Sequence, residues 1–273
     1  MNQLTFKSKI REFARLHKRD LPWRTPGLTP DLDGHLNLYQ VLVSEVMLQQ
    51  TQVARVVVKF KEFINKFPSL SVLTDANLID VLKVWQGLGY NRRGKYLWEA
   101  ARTLVTTIKT RQLNSDPLAS NKSLIIEQFS IQELDDLPGI GPATAASIYC
   151  FTYNRPVVFI ETNIRKVYIH HFCADRAEVD DSELLPLIRD TLDYENPREW
   201  YYALMDYGSF LSTVIANPNT KSRHYVKQSK FTGSDRQIRG RILRDHLSDI
   251  HVALSTVREK NIYKQLKNEG LIV

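Results

Sequence analysis

The chain has 273 residues, of which 43% are hydrophobic and 25% are charged, enough for one large domain or two lobes around a sizeable core. Its net charge of +7 favours a polyanionic partner. No apolar run approaches the roughly 18 residues that cross a bilayer, and the N-terminus lacks the apolar core of a signal peptide, so we expect a cytoplasmic protein without a membrane partner.

Apolar residues recur at helical intervals along most of the chain, which predicts an all-α fold. The longest such segment is residues 38–67, where Leu38, Leu42, Val46 and Phe60 fall near one stripe. Strand-like patterns are scarce, and the best of them is the short run PVVFI. Further helices are expected at roughly 77–84, 91–109, 131–136, 142–153, 162–172, 182–192 and 197–212.

A domain boundary is expected at residues 216–219, where the sequence ANPN interrupts the helical pattern. The boundary divides the chain into a core of residues 1–215 and a basic C-terminal extension of residues 216–273. The extension has two or three short helical segments and ends in EGLIV. This pattern resembles a winged-helix unit, although many small helical bundles share it.

One stretch carries the whole excess of positive charge. Between residues 221 and 244 lie eight Lys or Arg residues against a single acid, Asp235. Such a segment attracts the phosphate backbone of nucleic acid, although a solvated basic linker would look the same. The DNA contacts expected here are Lys221, Arg223, Lys227, Lys230, Arg236 and Arg239.

The run ELDDLPGIGPATAASI, residues 133–148, predicts two helices joined by a glycine-containing turn. Ser130 and Glu133 have the spacing of a capping box, and Pro142 suits the first position of the second helix. The N–H groups at the start of that helix can hold a phosphate, which favours DNA binding over a plain corner between helices. The contacts expected are Pro138, Gly139, Ile140, Gly141, Ala143 and Thr144.

Several motifs occur in a fixed order along the chain. They are RDLPWR at 19–24, SEVMLQQT at 44–51, WQGLGYNRRGKYL at 85–97, the hairpin, VVFIETNIRKVYIHHF at 157–172 and ALMDYG at 203–208. Together they resemble the helix-hairpin-helix (HhH-GPD) DNA glycosylase superfamily, over roughly residues 10–212. Within it they are most similar to the branch that removes adenine at A·G and A·8-oxoguanine mismatches (MutY type).

The resemblance implies two catalytic carboxylates. Glu45 matches the acid that protonates the flipped adenine and helps it leave, and a carboxyl among apolar neighbours keeps its proton to higher pH. Glu161 stands where the superfamily has an Asp whose charge stabilises the oxocarbenium-like sugar. The extra methylene moves the carboxylate by about 1.5 Å, and such a misplacement can cost about a hundredfold in rate. Glu161 is therefore either the second catalytic group or only a helix cap.

The resemblance also implies base and DNA contacts. Gln49, Gln50 and Thr51 would lie at the DNA surface, with two ordinary polar helix positions as the alternative for the glutamines, and Tyr90 would insert beside the opposite base or belong to the core. The matches to the base pocket are Arg19, Leu21, Trp23, Arg24 and Tyr202, and a core position is the alternative for Trp23. The carbonyls of the hairpin that would hold a monovalent cation, K⁺ or Na⁺, belong to Asp135, Leu137 and Ile140.

The sequence departs from the family pattern in ways that bear on chemistry. Ala143 replaces the lysine that forms a Schiff base in bifunctional relatives, which predicts no AP-lyase activity. The four-cysteine iron–sulfur cluster of the branch has no counterpart after Cys173, so we expect no cluster and no required cofactor. The EGLIV tail does not resemble the domain that reads 8-oxoguanine, and Tyr202 replaces a Gln or Glu that contacts adenine. These last two departures weaken the adenine assignment.

The expected function is that of a monofunctional DNA N-glycosylase of base excision repair, acting as a monomer on double-stranded DNA. It would flip a mismatched or damaged base out of the duplex and hydrolyse its N-glycosidic bond. Adenine is the first candidate base, and thymine or uracil opposite guanine is the second. The alternative from another class is a DNA lesion-binding protein that does not cut.

Overall fold

The computed structural model describes residues 2–25, 36–114 and 128–272. Within these ranges the secondary structure is helical, and no strand is formed beyond one isolated bridge between Val179 and Ser222, so the all-α prediction is confirmed. The described helices are α1 (Gln3–His17), α2 (Leu38–Leu48), α3 (Val53–Lys66), α4 (Leu70–Asp75), α5 (Leu78–Trp85), α6 (Arg92–Asn114), α7 (Ile131–Asp135), α8 (Pro142–Tyr153), α9 (Thr162–Phe172), α10 (Asp181–Thr191), α11 (Pro197–Val214), α12 (Asp235–Leu247) and α13 (Val257–Asn268).

Contacts divide the chain into two compact units, and each unit is made of two separate segments. Unit 1 comprises residues 1–37 and 141–227, and unit 2 comprises residues 38–140 and 228–273. No helix in the described ranges is both long and apolar enough to cross a membrane.

Unit 1 is organised around α11, which packs against α9 on one side and against α1 on another. Phe6 of α1 is fully buried, with its ring centroid 5.2 Å from Tyr168 and 4.9 Å from Phe172 of α9. Burial of large aromatic side chains of this kind is the main source of stability for a helical core. This packing holds α9, the helix whose N-cap is Glu161.

In unit 2 the segment with helical spacing at residues 38–67 is divided between two helices, because α2 ends at Leu48 and α3 begins at Val53. Gln50 adopts φ +54°, in the left-handed region, and this conformation cannot continue a right-handed helix. The apolar spacing is helical on both sides of the break, so periodicity alone did not reveal it. Residues 49–52 form a loop instead of a helical surface.

The residues after Lys227 belong to the core of unit 2. Helices α12 and α13 pack on each other, and α12 also packs on α5. Their shared cluster is formed by Leu82, Ile242, Leu243, Leu247, Ile262, Leu266, Leu271 and Ile272. The described part of this segment forms no strand that could serve as the wing of a winged helix.

The stretch ANPN at the expected boundary is folded into unit 1. Residues Pro218–Lys221 form a short 3₁₀ helix, and Pro218 and Asn219 are buried. The Asn219 side-chain amide donates to the carbonyl of Thr162 at 3.0 Å. This contact ties the segment after α11 to the first turn of α9.

Candidate active site and DNA-binding surfaces

Glu45 lies near the C-terminal end of α2, a helix whose side chains are mostly removed from solvent. Eight of its eleven residues are buried, and they include the direct neighbours Ser44 and Val46. Glu45 itself is half-buried, between these two buried neighbours. A carboxyl group in such a place is suited to donate a proton to a bound base.

Glu161 is the N-cap of α9, and its side chain closes the start of the helix. One carboxylate oxygen, Oε1, accepts the N–H groups of Asn163 and Ile164 at 2.8 and 2.9 Å. Burial raises the pKa of the Glu161 carboxyl, and these two hydrogen bonds act against the rise. The second oxygen, Oε2, has a longer contact of 3.4 Å with the Asn163 amide.

A buried lysine supports the same turn. Lys166 is 6% exposed, and its ammonium donates to the carbonyl of Gly208 at 3.0 Å and to the Ser212 hydroxyl. It also reaches the Asn163 side-chain oxygen at 3.4 Å, and burial lowers the pKa of the Lys166 ammonium. Sequence reasoning missed Lys166, although a lysine in the apolar stripe of a predicted helix was a usable signal.

The motif RDLPWR meets the motif ALMDYG inside unit 1. The guanidinium groups of Arg19 and Arg24 both bind Asp206, at 2.6 Å for Arg19 Nε and at 2.9 Å for each Arg24 nitrogen. Burial alone would raise the pKa of the Asp206 carboxyl, but its bonds to Arg24 and Arg19 hold that pKa below the ordinary value. Arg24 also lies over the Tyr202 ring, 4.2 Å from its centroid.

This cluster brings together three of the five predicted pocket residues. The other two, Leu21 and Trp23, are buried at 7% and 4% exposure. Asp206, which sequence reasoning did not single out, is the common partner of both arginines. Its position in a recognised motif was the signal that could have identified it.

Arg93 organises two loops of unit 2. Its side chain is buried, and its nitrogens donate to six oxygens within 3.1 Å. Those oxygens are the carbonyls of Val46, Met47, Gln49, Leu88 and Gly89 and the hydroxyl of Thr51. Burial lowers the pKa of Arg93 to about 10, so the group stays charged at neutral pH. Sequence reasoning did not identify it.

These loops carry the residues expected at the DNA surface. Gln50 is exposed at the α2–α3 break, while Gln49 donates its amide to the carbonyl of Gly139 at 3.2 Å. Thr51 bonds the Leu88 carbonyl at 3.3 Å, which links the two loops directly. The glutamines therefore occupy a loop and not two helix positions, and Gln49 touches the hairpin turn.

Tyr90 follows two glycines and is itself held in an unusual backbone conformation. Its φ is +46°, a value that is rare for a bulky side chain and that costs of order 1–3 kcal/mol. Its hydroxyl oxygen accepts hydrogen bonds from Gln228 at 2.8 Å and from Arg236 at 2.9 Å. The side chain is half-buried, so it is not a core aromatic.

The hairpin has the predicted local structure on both sides of its turn. The capping box between Ser130 and Glu133 is present, and α8 begins at Pro142 after its N-cap, Gly141. Gly139 has φ +75°, and a Cβ there would lie 2.7 Å from the Tyr96 side chain. A residue larger than glycine would therefore displace Tyr96 as well as strain the backbone.

The exposed faces of the turn suit a phosphate. Pro138 is half-buried and Gly139 is exposed, whereas the Ile140 side chain is buried. Ala143 is exposed at the start of α8, ahead of the first helical bond, which runs from Ala145 to Gly141. Thr144, in the same turn, is half-buried.

The basic stretch is partly neutralised by acids from elsewhere in the chain. Lys221 and Arg223 lie in unit 1, where Lys221 donates to the Ala174 carbonyl and Arg223 pairs with Glu178 at 3.0 Å. In unit 2, Arg239 is paired with Glu269. Lys227 and Lys230 are exposed and have no ion-pair partner among the described residues.

Comparison with known proteins gives the family. The model of the HhH-GPD superfamily base excision DNA repair proteins matches residues 43–187. An adenine DNA glycosylase of Mycobacterium tuberculosis is 33% identical over 254 aligned residues, which cover 85% of this chain and 74% of that protein. The human adenine DNA glycosylase is 32% identical over 215 residues, which cover 76% of this chain and 36% of that protein.

Solved structures agree on the fold. A thermostable thymine-DNA glycosylase superposes with a TM-score of 0.62 at 20% identity, covering 80% of this chain and 91% of that one. A non-covalent endonuclease III–DNA complex gives a TM-score of 0.57 at 16% identity, covering 77% and 87%. This chain belongs to the HhH-GPD superfamily of base excision DNA repair glycosylases, and the predicted resemblance is confirmed.

Proposed function

We propose that this chain is a monofunctional DNA N-glycosylase that removes adenine from A·G or A·8-oxoguanine pairs. The observation that carries the proposal is the half-buried carboxylate of Glu45 on a helix that is otherwise mostly buried. The names of relatives more than 30% identical over most of the chain support adenine as the base.

The chemistry begins with extrusion of the base from the duplex into the protein. Adenine is a poor leaving group, and Glu45 acts as general acid that protonates it as the N-glycosidic bond breaks. The sugar becomes an oxocarbenium-like cation, and a nearby carboxylate stabilises that charge or activates the attacking water, as in other glycosidic hydrolyses.

Glu161 is the second carboxylate in this proposal. Its Oε1 atom accepts two backbone N–H groups of α9, while Oε2 makes, among the described residues, the longer 3.4 Å contact with the Asn163 amide. That oxygen can face a cation or a water. Capping fixes the carboxylate on a rigid helix start, which is the kind of support a catalytic group needs.

No amine nucleophile is placed at the start of α8, where Ala143 stands, so the product is an abasic site without strand cleavage. Two cysteines, Cys150 and Cys173, are buried and form no disulfide. They are too few to ligate a four-cysteine iron–sulfur cluster, and we propose that the glycosylase works without one.

DNA is held by the hairpin and by the loops that Arg93 joins. The carbonyl of Leu137 accepts the Ile140 N–H at 3.1 Å, which leaves it a second lone pair for a ligand. With the carbonyls of Asp135 and Ile140 it fits the oxygen donor set of a monovalent cation. Such an ion would neutralise part of the charge of a bound phosphate.

A second candidate base is thymine or uracil opposite guanine. The observation that favours it is Tyr202, whose ring is covered by Arg24. A phenol lacks the paired donor and acceptor of an amide, which is the group that recognises adenine best. A protein that binds lesions without cutting them is the remaining alternative.

The test is a single-turnover excision assay on labelled duplexes containing A·8-oxoguanine, A·G, T·G and U·G, with alkali to reveal abasic sites. We expect cleavage at adenine and a loss of at least about a hundredfold in Glu45→Gln and in Glu161→Gln, because a positioned acid or electrostatic group contributes about 10²–10³. Glu62→Gln, an exposed residue of α3, is the matched control.

Cleavage at thymine or uracil alone would replace adenine by the second candidate. Binding of mismatched duplexes without excision of any base would identify a lesion-binding protein. Full activity in both carboxylate variants would overturn the proposed mechanism.

A further inference from the structure

A groove in unit 2 is lined by basic side chains, and the acids that pair with four of them, Arg92, Arg239, Arg241 and Arg244, do not line it. It encloses ≈1530 Å³, and seven arginines and six glutamines lie along it. None of the described residues that line it is an Asp or a Glu. A surface of N–H donors with positive charge selects ligand groups that only accept hydrogen bonds, and in DNA these include the phosphate oxygens and the paired O6 and N7 atoms of guanine.

Tyr90 stands inside this groove, and two cations fix its ring. The guanidinium carbons of Arg93 and Arg236 each lie 5.5 Å from the ring centroid. Arg93 also bonds the carbonyls of Leu88 and Gly89, directly before Tyr90. The strained φ of Tyr90 is thus supported by hydrogen bonds to the preceding backbone and by two guanidinium groups close to its ring.

The hydroxyl of Tyr90 is turned into a donor by its partners. Gln228 and Arg236 both donate to the Tyr90 oxygen, so these two contacts leave the hydroxyl proton for another acceptor. Arg236 has a second anchor, because its Nη2 atom donates to Ser229. The guanidinium fork therefore bridges the loop after Lys227 and the Tyr90 hydroxyl.

We propose that residues after Lys227 complete a DNA contact site around Tyr90. Arg236 is its positioning residue: it holds the Tyr90 ring so that the hydroxyl and the Gln228 amide present N–H and O–H donors to one acceptor group of the DNA. The inference rests on the proposed function only in taking DNA as the ligand, and it does not depend on which base is excised.

The geometry makes Arg236 hard to replace by lysine. A lysine keeps the charge but lacks the planar fork that reaches Tyr90 and Ser229 together. Arg258→Lys is a matched control, since Arg258 lies in the same segment, makes a similar forked contact with Asp235 and Gly233, and does not line the groove.

The experiment is a double-mutant cycle in duplex binding, measured by fluorescence anisotropy with Tyr90→Phe, Arg236→Lys and the combination. Each single variant should weaken binding on the order of tenfold, the value of one charge-assisted hydrogen bond. The double variant should bind duplex no more than about twofold more weakly than the weaker-binding single variant, because both substitutions disrupt the same contact. Arg258→Lys should bind like the wild type, and thermal unfolding should be unchanged in Arg236→Lys.

Two possible results identify the DNA group that accepts the hydrogen bonds from Tyr90 and Gln228. If a phosphate is bound, the loss is the same for all duplexes and the slope of log K against log salt falls by about one. If a guanine edge is bound, the loss is confined to duplexes that carry that guanine, and 7-deazaguanine in the wild type reproduces it. Either result supports the contact site.

Losses that multiply in the double variant, or binding by Arg236→Lys equal to that by Arg258→Lys, would overturn the inference. Failure of the proposed function would give another result. The wild type would then bind duplexes without excising a base, while the binding losses of Tyr90→Phe and Arg236→Lys would still be non-additive. A wild type that binds no duplex would overturn both.

Discussion

Two buried charges at the start of α9 in unit 1, those of Glu161 and Lys166, have pKa values shifted in favour of their neutral forms. Burial raises the pKa of Glu161 and lowers that of Lys166, and the attraction between the two groups opposes both shifts. Once the pH rises through the elevated pKa of Glu161, the ionised form reduces the stability of the fold. The two backbone hydrogen bonds to its carboxylate limit that cost.

His171 gives a pH dependence of stability that can be measured. Burial, assisted by His170 and Lys9, lowers its pKa to about 4. The unfolded chain therefore binds this proton at higher pH than the folded protein, so the contribution is present above about pH 6.5 and is lost as pH falls toward 4. We expect a loss of about 1–2 kcal/mol from this group after allowing for its partial exposure.

The measurement compares urea unfolding at pH 7 and pH 4.5 for the wild type and His171→Phe. Phenylalanine keeps the packing on Phe6 and Tyr207, whose ring centroids lie 5.4 and 5.6 Å away. The variant should lose less stability on acidification than the wild type. His251→Phe, at an exposed histidine, should lose as much stability between pH 7 and pH 4.5 as the wild type does. An equal effect of the two variants would contradict the attribution of this pH dependence to His171.

At the scale of elements, a glycine lets two helices of unit 1 approach closely. A Cβ at Gly208 of α11 would lie 2.5 Å from the carbonyl oxygen of Asn163 in α9. The sequence could predict both helices from their apolar spacing, but not this approach, because Asn163 and Gly208 are far apart in the chain. The same limit applies to Arg93, whose six acceptors come from segments that no local pattern connects to it.

Gly208→Ala should push the two helices apart. We expect a loss of about 1–3 kcal/mol in the free energy of unfolding, the usual cost of overpacking. Excision should fall more than DNA binding, because the shift displaces Asn163 and with it the Glu161 cap. Gly240→Ala, in α12, meets no atom within 4 Å and serves as the control for the unfolding measurement. Unchanged excision in a destabilised Gly208→Ala would show that the start of α9 tolerates movement.

At the scale of the whole molecule, the chain passes twice through each unit. Motifs and charge predicted a basic C-terminal extension of residues 216–273 with two or three short helices, and the described part of that stretch contains α12 and α13. They did not predict that its apolar residues share a cluster with Leu82 of α5. Such contacts join residues that are distant in sequence. Apolar periodicity predicts that one face of a helix is buried, but it does not predict which element packs against that face.

Leu266→Ala tests this shared core. Leu266 is fully buried in the cluster with Leu82, so its truncation should cost about 2–5 kcal/mol in urea unfolding. Val257→Ala, in the same helix but 75% exposed, should cost less than about 0.5 kcal/mol. A small loss of unfolding free energy in Leu266→Ala would mean that α13 does not share the core of unit 2.

The interleaved segments also set an order of events during synthesis. Leu82 leaves the ribosome long before Ile262 and Leu266, so its partners in the cluster do not yet exist when α5 can form. The apolar surface of α5 around Leu82 therefore stays exposed in the nascent chain until α13 has been synthesised. The need for chaperones should therefore be greatest late in synthesis. A premature stop codon near residue 260 would release a chain in which Leu82 lacks its partners Ile262 and Leu266, so the core of unit 2 would stay incomplete.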